Sequence, residues 1–447
     1  MKRRDFLRGT SGGLMGLSIR SLLTGLPPYF LLEGRAQAAD PSRKFTIIAQ
    51  SGAGESINGF GPGSFDAEHF IHPTTADSEY TRSIAGRTYS ADALNRTTTF
   101  LEGPEPVRIA EVFEALGPMQ DHMAFFHYRT SLGIHPQFPI ARRAGGVIKG
   151  FLGRGEEELA SALAQENAEA LGTLLPKPIV LSGSATYEGG ALNAYSPTVI
   201  KELVTSSVAR EVPSGMFGSA RNYILDRVFR EVKANGTSNQ RAFLDEFAIS
   251  QQQADEVASR LVEEVVDISD DSLTSQMQMA AILIKLRLTP TVVLGYRVSG
   301  DNHVSNGLEV ETPLTLDMMA TYRDFYEFAN EVGVWNECLY GTVSVFGRGM
   351  HHTGNGRGHN GSLCTGLLFG EHLQRKVVGG INLDPEFRKG ACVPFNASTG
   401  GLDNPNVPVE QAEASYVKSV MKAAGVPNGR LEVRVKDVPA VDLTGTT

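Results

Sequence analysis

"KFTIIAQSGAGESINGFGPG", running from Lys44 to Gly63, joins a short apolar run to a loop with five glycines. The run is too short for a helix. Its Phe, Thr and Ile content, closed by glycine, predicts a strand. The same order of strand and polar, glycine-bearing loop returns along the chain. "DHMAFFHYR" (121–129) leads into "TSLGIHPQFP" (130–139), and "TPTVVLGYRVSG" (289–300) leads into "SGDNHVSNG" (299–307). "CLYGTVSVFGR" (338–348) leads into "GRGMHHTGNGRGHN" (347–360), and "KPIVLSG" (177–183) adds a further strand.

Helical spacing fills the intervals, as in "EEELASALAQENAEAL" (156–171), "SLTSQMQMAAILIKLR" (272–287) and "TLDMMATYRDFYEFANEVGVW" (315–335). "VRIAEVFEALGPM" (107–119) has the same period, and residues 216–286 read as mainly helical. Strands alternating with helices predict an α/β fold: a central, mostly parallel sheet flanked by helices, with a helical insertion. The 447 residues, 41% hydrophobic and 20% charged, are enough for one large α/β domain with insertions. The last dozen residues read as a tail.

The first 38 residues form a separate unit. Arg3 and Arg4 stand in "RRDFL", a twin-arginine export pattern, and a weakly apolar stretch follows. It ends at Ala36-Gln37-Ala38, a small-x-small cleavage site. Arg20 and the Pro27-Pro28 pair interrupt the stretch, which argues against a permanent membrane span. The expectation is a signal peptide at 1–38, a single α/β domain at 39–447, and a periplasmic or secreted product. That product holds 35 basic and 48 acidic residues, a net charge of −13. Without basic clusters such a surface suits no nucleic-acid partner. No other segment is apolar enough to span a bilayer, and no protein partner is legible.

Three cysteines, Cys338, Cys364 and Cys392, make no disulfide framework and no zinc spacing. Either one pair bridges or all three are buried thiols.

The strand-end loops hold the residues with chemistry. They carry Glu55, Asn58, His135, Asp301, His303, His351, His352 and His359. Open α/β sheets place their sites at the C-terminal ends of strands. Carboxylate with imidazole is a donor set for a divalent ion. Asp301 and His303 stand two apart, so a strand end presents both on one face. Each histidine alone reads as a surface or hydrogen-bonding residue. Recurrence at four strand ends is what points to a site.

These blocks resemble the exported, sulfatase-like "domain of unknown function 1501" family of the alkaline-phosphatase-like superfamily. "SGAGESINGFGP" is similar to its R-G-G-A-D-G-L-N-x-x-x-P block, with Glu55 at the acidic place and Asn58 at the Asn place. "GIHPQFP" resembles its Ser-His element, with His135 kept and Ile134 for the serine. "SGDNH" resembles G-F-D-T-H through Asp301 and His303. "SVFGR" resembles S-E-F-G-R, with Ser344, Phe346, Gly347 and Arg348 kept and Val345 for the glutamate. "GHN" resembles the Asp-His pair, with His359 kept and Gly358 for the aspartate, and Gly379-Gly380 resembles a closing Gly-Gly. The blocks run in order from about residue 44 to 385.

The resemblance implies an alkaline-phosphatase/sulfatase-like sheet with a metal-assisted site at its C-terminal edge. It implies Glu55, His135, Asp301, His303 and His359 as metal ligands, for zinc, calcium or magnesium. Arg348 would balance an anionic group. Ser51 and Ser56 are the nearest hydroxyls in the first loop. The expected activity is hydrolysis of a phosphate or sulfate ester of a small molecule or glycan. The alternative is an inactive periplasmic binding or assembly protein on the same fold, since Val345 and Gly358 remove two carboxylates. Within the last loop His359 is the expected anchor, because the adjacent His351 and His352 match nothing in the family.

Overall fold

The computed structural model describes residues 40–54, 64–65, 81–84, 87–90, 116–209, 261, 264–296, 307–348, 358–374, 376–383 and 390–444. Seven strands form its main sheet. In chain order they are β1 (Phe45–Ser51), β2 (Met123–Tyr128), β3 (Ile179–Val180), β4 (Thr291–Gly295), β5 (Cys338–Ser344), β6 (Cys364–Phe369) and β7 (Lys376–Val378). Their spatial order is β7-β2-β6-β5-β1-β4-β3. β1 pairs in parallel with β5 and with β4, β4 with β3, and β2 with β7. Only β6 runs the other way in this sheet, antiparallel to both β5 and β2. The expectation of a mostly parallel sheet therefore holds. The start of β6 joins the C-terminal ends of the other six strands at one edge.

All seven residues of β1 and all seven of β5 are buried, as expected of strands covered on both faces. Side chains alternate between two cores. Phe45, Ile47 and Ala49 of β1 pack in one core with Met277, Ile284, Tyr322 and Phe325. These partners belong to α3 (Leu273–Lys285) and α4 (Gly307–Glu331), which follow α1 (Leu159–Leu171) and α2 (Pro197–Ala209). Ile48 packs in the other core with Leu163 of α1 and with Val417 and Val420 of α5 (Ala412–Ala423). Three layers result, helix on sheet on helix. No described helix is long and apolar enough to cross a membrane.

Local chemistry sets the helix ends. Ser272 caps α3 by accepting from the Ser275 N–H at 3.3 Å. α1 stops at Gly172, whose φ of 63° is a left-handed C-cap. The last helix, α6 (Asn428–Arg434), is tied to α1 by charge. Arg434 Nε and Arg430 Nη2 donate to Glu166 at 2.6 and 2.7 Å.

One expectation changes, and one open alternative is decided. The chain end is not a tail as far as residue 444. Val441 and Leu443, spaced two apart, are buried in the α1–α5 core, and the Val441 N–H donates to Ser419 Oγ at 2.8 Å. None of the three cysteines forms a disulfide and all three are buried, and burial pushes the Cys338 and Cys392 thiols up to about 12. The stretch 107–115 and all of 216–260 lie outside the described residues.

Candidate functional site at the C-terminal edge

Three loops meet where β1 and β2 end and where the chain passes from β5 to β6. The Val345 N–H donates to the Ser51 carbonyl at 3.2 Å, so the β1 and β5 exits are held together. After β2, Thr130 Oγ1 donates to the Val345 carbonyl at 2.9 Å. The Thr130 and Ser131 N–H groups both donate to Gly361 O, at 3.1 and 2.9 Å. After β5, Gly347–Arg348 pairs antiparallel with His359–Asn360 as a two-residue ribbon. Arg348 stands directly opposite His359 in that ribbon, so the two side chains share a face.

This frame brings together His135, His359 and Arg348. His135 Nδ1 lies 2.7 Å from the Gly52 carbonyl, and His359 Nδ1 lies 2.5 Å from the Gly133 carbonyl. A carbonyl oxygen only accepts, so each Nδ1 carries its proton. The two ring centroids are 4.7 Å apart at an interplanar angle of 85°. Phe346 is fully buried beside them, stacked on His359 at 4.0 Å and 5.0 Å from His135. Arg348 is 1% exposed, donates to the Ala53 carbonyl, and sits 5.4 Å from the Phe346 ring centroid.

Glycine is required where the first loop crosses this cluster. Gly54 has φ of +83°, and a Cβ there would overlap the Phe346 ring.

Ser51 is enclosed at the end of β1, 1% exposed, and its Oγ has no hydrogen-bond partner among the described residues. Val345, expected from the resemblance at a glutamate position, is buried in an apolar cluster with Leu132, Ala141 and Phe346. Gly358, expected from the resemblance at an aspartate position, is exposed. Glu55, Ser56, Asn58, Asp301, His303, His351 and His352 lie outside the described residues. Among the described residues no group of three His, Cys, Asp or Glu side chains could hold an ion. His135 and His359 fit a metal-binding role as a pair. A backbone carbonyl at Nδ1 is a usual outer partner of a metal-bound histidine.

Three features of this geometry were not read from the sequence. Phe346 serves as the wall on which His359 stacks. The Gly52 and Gly133 carbonyls orient the imidazoles. Gln137 clamps the turn before His135, its Oε1 accepting from the N–H groups of Gly133 and Ile134 at 2.9 and 3.3 Å. The last had a signal: a Pro one position before Gln, three residues into a turn, is a helix-start pattern.

Comparison with family models, curated proteins and solved structures finds no match to this chain.

Proposed function

We propose that the chain is an exported, metal-assisted hydrolase of phosphate or sulfate esters on an alkaline-phosphatase/sulfatase-like scaffold. One observation carries the reading. Two imidazoles from different strand-end loops are each pinned at Nδ1 by a backbone carbonyl and lie 4.7 Å apart, across a ribbon from a buried arginine. In this reading His135 and His359 hold a divalent ion, and Glu55, Asp301 and His303 complete its ligands. The ion supplies a Lewis acid for the ester oxygen. Arg348 is as enclosed as Ser51, so in this reading it supplies positive charge from behind His359 and makes no direct contact with the ester. Ser51 is enclosed, so of the two serines in the first loop it is Ser56 that offers the hydroxyl. The substrate is a phosphate or sulfate ester of a small molecule or glycan.

The test is metal analysis of protein purified after native export, with fluorogenic phosphate and sulfate esters as substrates. The expected result is bound divalent metal and measurable hydrolysis, with His359→Ala losing most of the metal and all of the activity. His352→Ala should have a smaller effect. Full occupancy in His359→Ala would overturn the role given to His359.

A second reading has its own support. Val345 fills an apolar cluster and Gly358 faces solvent, so neither position offers the carboxylate of the family pattern. That favours a periplasmic binding or assembly protein with the same architecture. A metal-free parent without ester hydrolysis would select it.

A further inference from the structure

The two histidine loops meet at the peptide between Gly133 and Ile134. Its carbonyl accepts from His359 Nδ1 at 2.5 Å. Its N–H, that of Ile134, donates to Gln137 Oε1 at 3.3 Å, and the same oxygen accepts from the Gly133 N–H at 2.9 Å. The bond is trans, so its C=O and N–H point in opposite directions from one rigid plane. Holding the N–H on Gln137 therefore aims the carbonyl at His359. Glycine at 133 gives that plane freedom to rotate, since a Cβ there would meet nothing within 4 Å.

Stacking does not orient His359 by itself. Its ring lies 4.0 Å from the Phe346 ring at an interplanar angle of 28°. A half-turn about Cβ–Cγ keeps that stack and exchanges Nδ1 with Cδ2, because this torsion has two nearly equivalent settings. The Gly133 carbonyl selects one setting and places the proton on Nδ1. His135 is held differently. Its Nδ1 donates to the Gly52 carbonyl on another loop, and its turn is closed by the Gln137 N–H donating to Ile134 O at 3.1 Å, a bond that needs no side chain.

We propose that Gln137 is a positioning residue for His359, acting through the Gly133–Ile134 peptide. The proposal rests on the ester-site reading for the use made of His359, and it adds to that site a residue that touches neither imidazole.

The test is nitrogen NMR of the full-length exported product, labelled in its imidazole rings, freed of metal with a chelator and held at about pH 8.5, above the ordinary imidazole range. His135→Gln and His359→Gln identify the two sets of signals. In the parent both rings should carry the proton on Nδ1. In Gln137→Met, which keeps the bulk and removes the acceptor, His359 should lose that exclusive form while His135 retains it. Gln137→Glu offers a carboxylate oxygen to the same two N–H groups and should restore the parent spectrum. Gln137→Asn, whose oxygen is drawn back by one methylene, should repeat the loss and serves if Gln137→Met does not fold. A role in the turn alone would lower the urea midpoint and leave His359 unchanged, which overturns the proposal. Loss at both rings overturns it too, as does a parent His359 protonated at Nε2. Zinc titration separates the proposal from the reading beneath it. Affinity should fall about tenfold or more in Gln137→Met and return in Gln137→Glu. Zinc bound equally well by Gln137→Met and the parent counts against the positioning role. A parent that takes up no zinc removes the ester-site reading, while the nitrogen signals still decide the role of Gln137.

Discussion

Among the described residues, each edge of the main sheet carries two loop histidines, held in different ways. At the C-terminal edge, His135 and His359 sit on loops, half-buried, with Nδ1 held and Nε2 directed away from the fixing carbonyl. At the N-terminal edge, His122 precedes β2 and His372 follows β6. His122 Nε2 is 3.7 Å from Glu371 Oε2, and its ring meets Trp335 edge-on at 6.2 Å. The Trp335 indole N–H also donates to Glu371. His372 Nε2 donates to the Ala423 carbonyl at 3.0 Å, and its pKa is lowered to about 4, mainly by burial and then by the Lys44 charge. At one edge imidazole is oriented by loop carbonyls; at the other it packs against Trp335 or under the Ala423 carbonyl. Strand polarity separates the two, because parallel strands send their longer, irregular connections out of the C-terminal edge.

The largest expected effect tests whether the C-terminal edge is rigid. A Cβ on Gly347 would overlap the Leu363 carbonyl and crowd the backbone of Cys364. No flexible side chain can yield there, so Gly347→Ala should cost about 3 kcal/mol. Gly333, at the opposite edge, has open space around it and a φ of +78°. Gly333→Ala should cost only the left-handed strain, about 1 kcal/mol. Urea denaturation of both variants decides. Equal midpoints would mean that the ribbon carrying Arg348 and His359 adjusts freely, and the pinned geometry would lose its force.

The next effect belongs to the packing edge. An unfolded chain protonates His372 near its ordinary 6.5, whereas the folded chain resists until about 4. Between those values the unfolded state binds more protons. Stability therefore falls as pH drops from 6.5 towards 4, by up to about 3 kcal/mol. His372→Gln should flatten that fall relative to the parent. Glu413, whose carboxyl burial pushes well up, acts with the opposite sign but is common to both proteins and cancels in the difference. Denaturation midpoints at about pH 7 and about pH 4.5 supply the comparison. Identical slopes for parent and variant would show that His372 is not held neutral by the fold.

Much of this contrast was legible in the sequence, and the remainder is absent for identifiable reasons. β1, β4 and β5 announce themselves as apolar runs because both their faces are buried. β6 does not. "CTGLLF" carries Thr365 and Gly366, and Gly366 is there because the Tyr416 ring occupies the space of its Cβ. Its antiparallel place between β2 and β5 depends on partners more than 200 and about 25 residues away, which no local window contains. The site divides in the same way. His135, His359 and Arg348 are visible as strand-end residues. The Gly52 and Gly133 carbonyls that orient the two imidazoles are backbone atoms, which every residue possesses and no letter distinguishes.

The smallest effect on stability carries the sharpest test of the C-terminal edge. Gly358 is exposed, and a Cβ there would meet nothing within 4 Å. A new side chain at 358 should therefore change stability by less than about 0.5 kcal/mol. The sulfatase-like pattern that the sequence resembles has an aspartate before the histidine, and Gly358→Asp introduces one. If His359 is a metal ligand, the added carboxylate should raise affinity for a divalent ion by about tenfold or more. Gly358→Asn adds the same volume without the charge and should leave affinity near the parent's. Competition with a metal-binding dye reads all three proteins on one scale. A gain for Asp alone would mean that the glycine withholds a ligand from an otherwise competent site. Equal affinity in Asp, Asn and parent would detach position 358 from the ion and leave His359 matched to the family by spacing only.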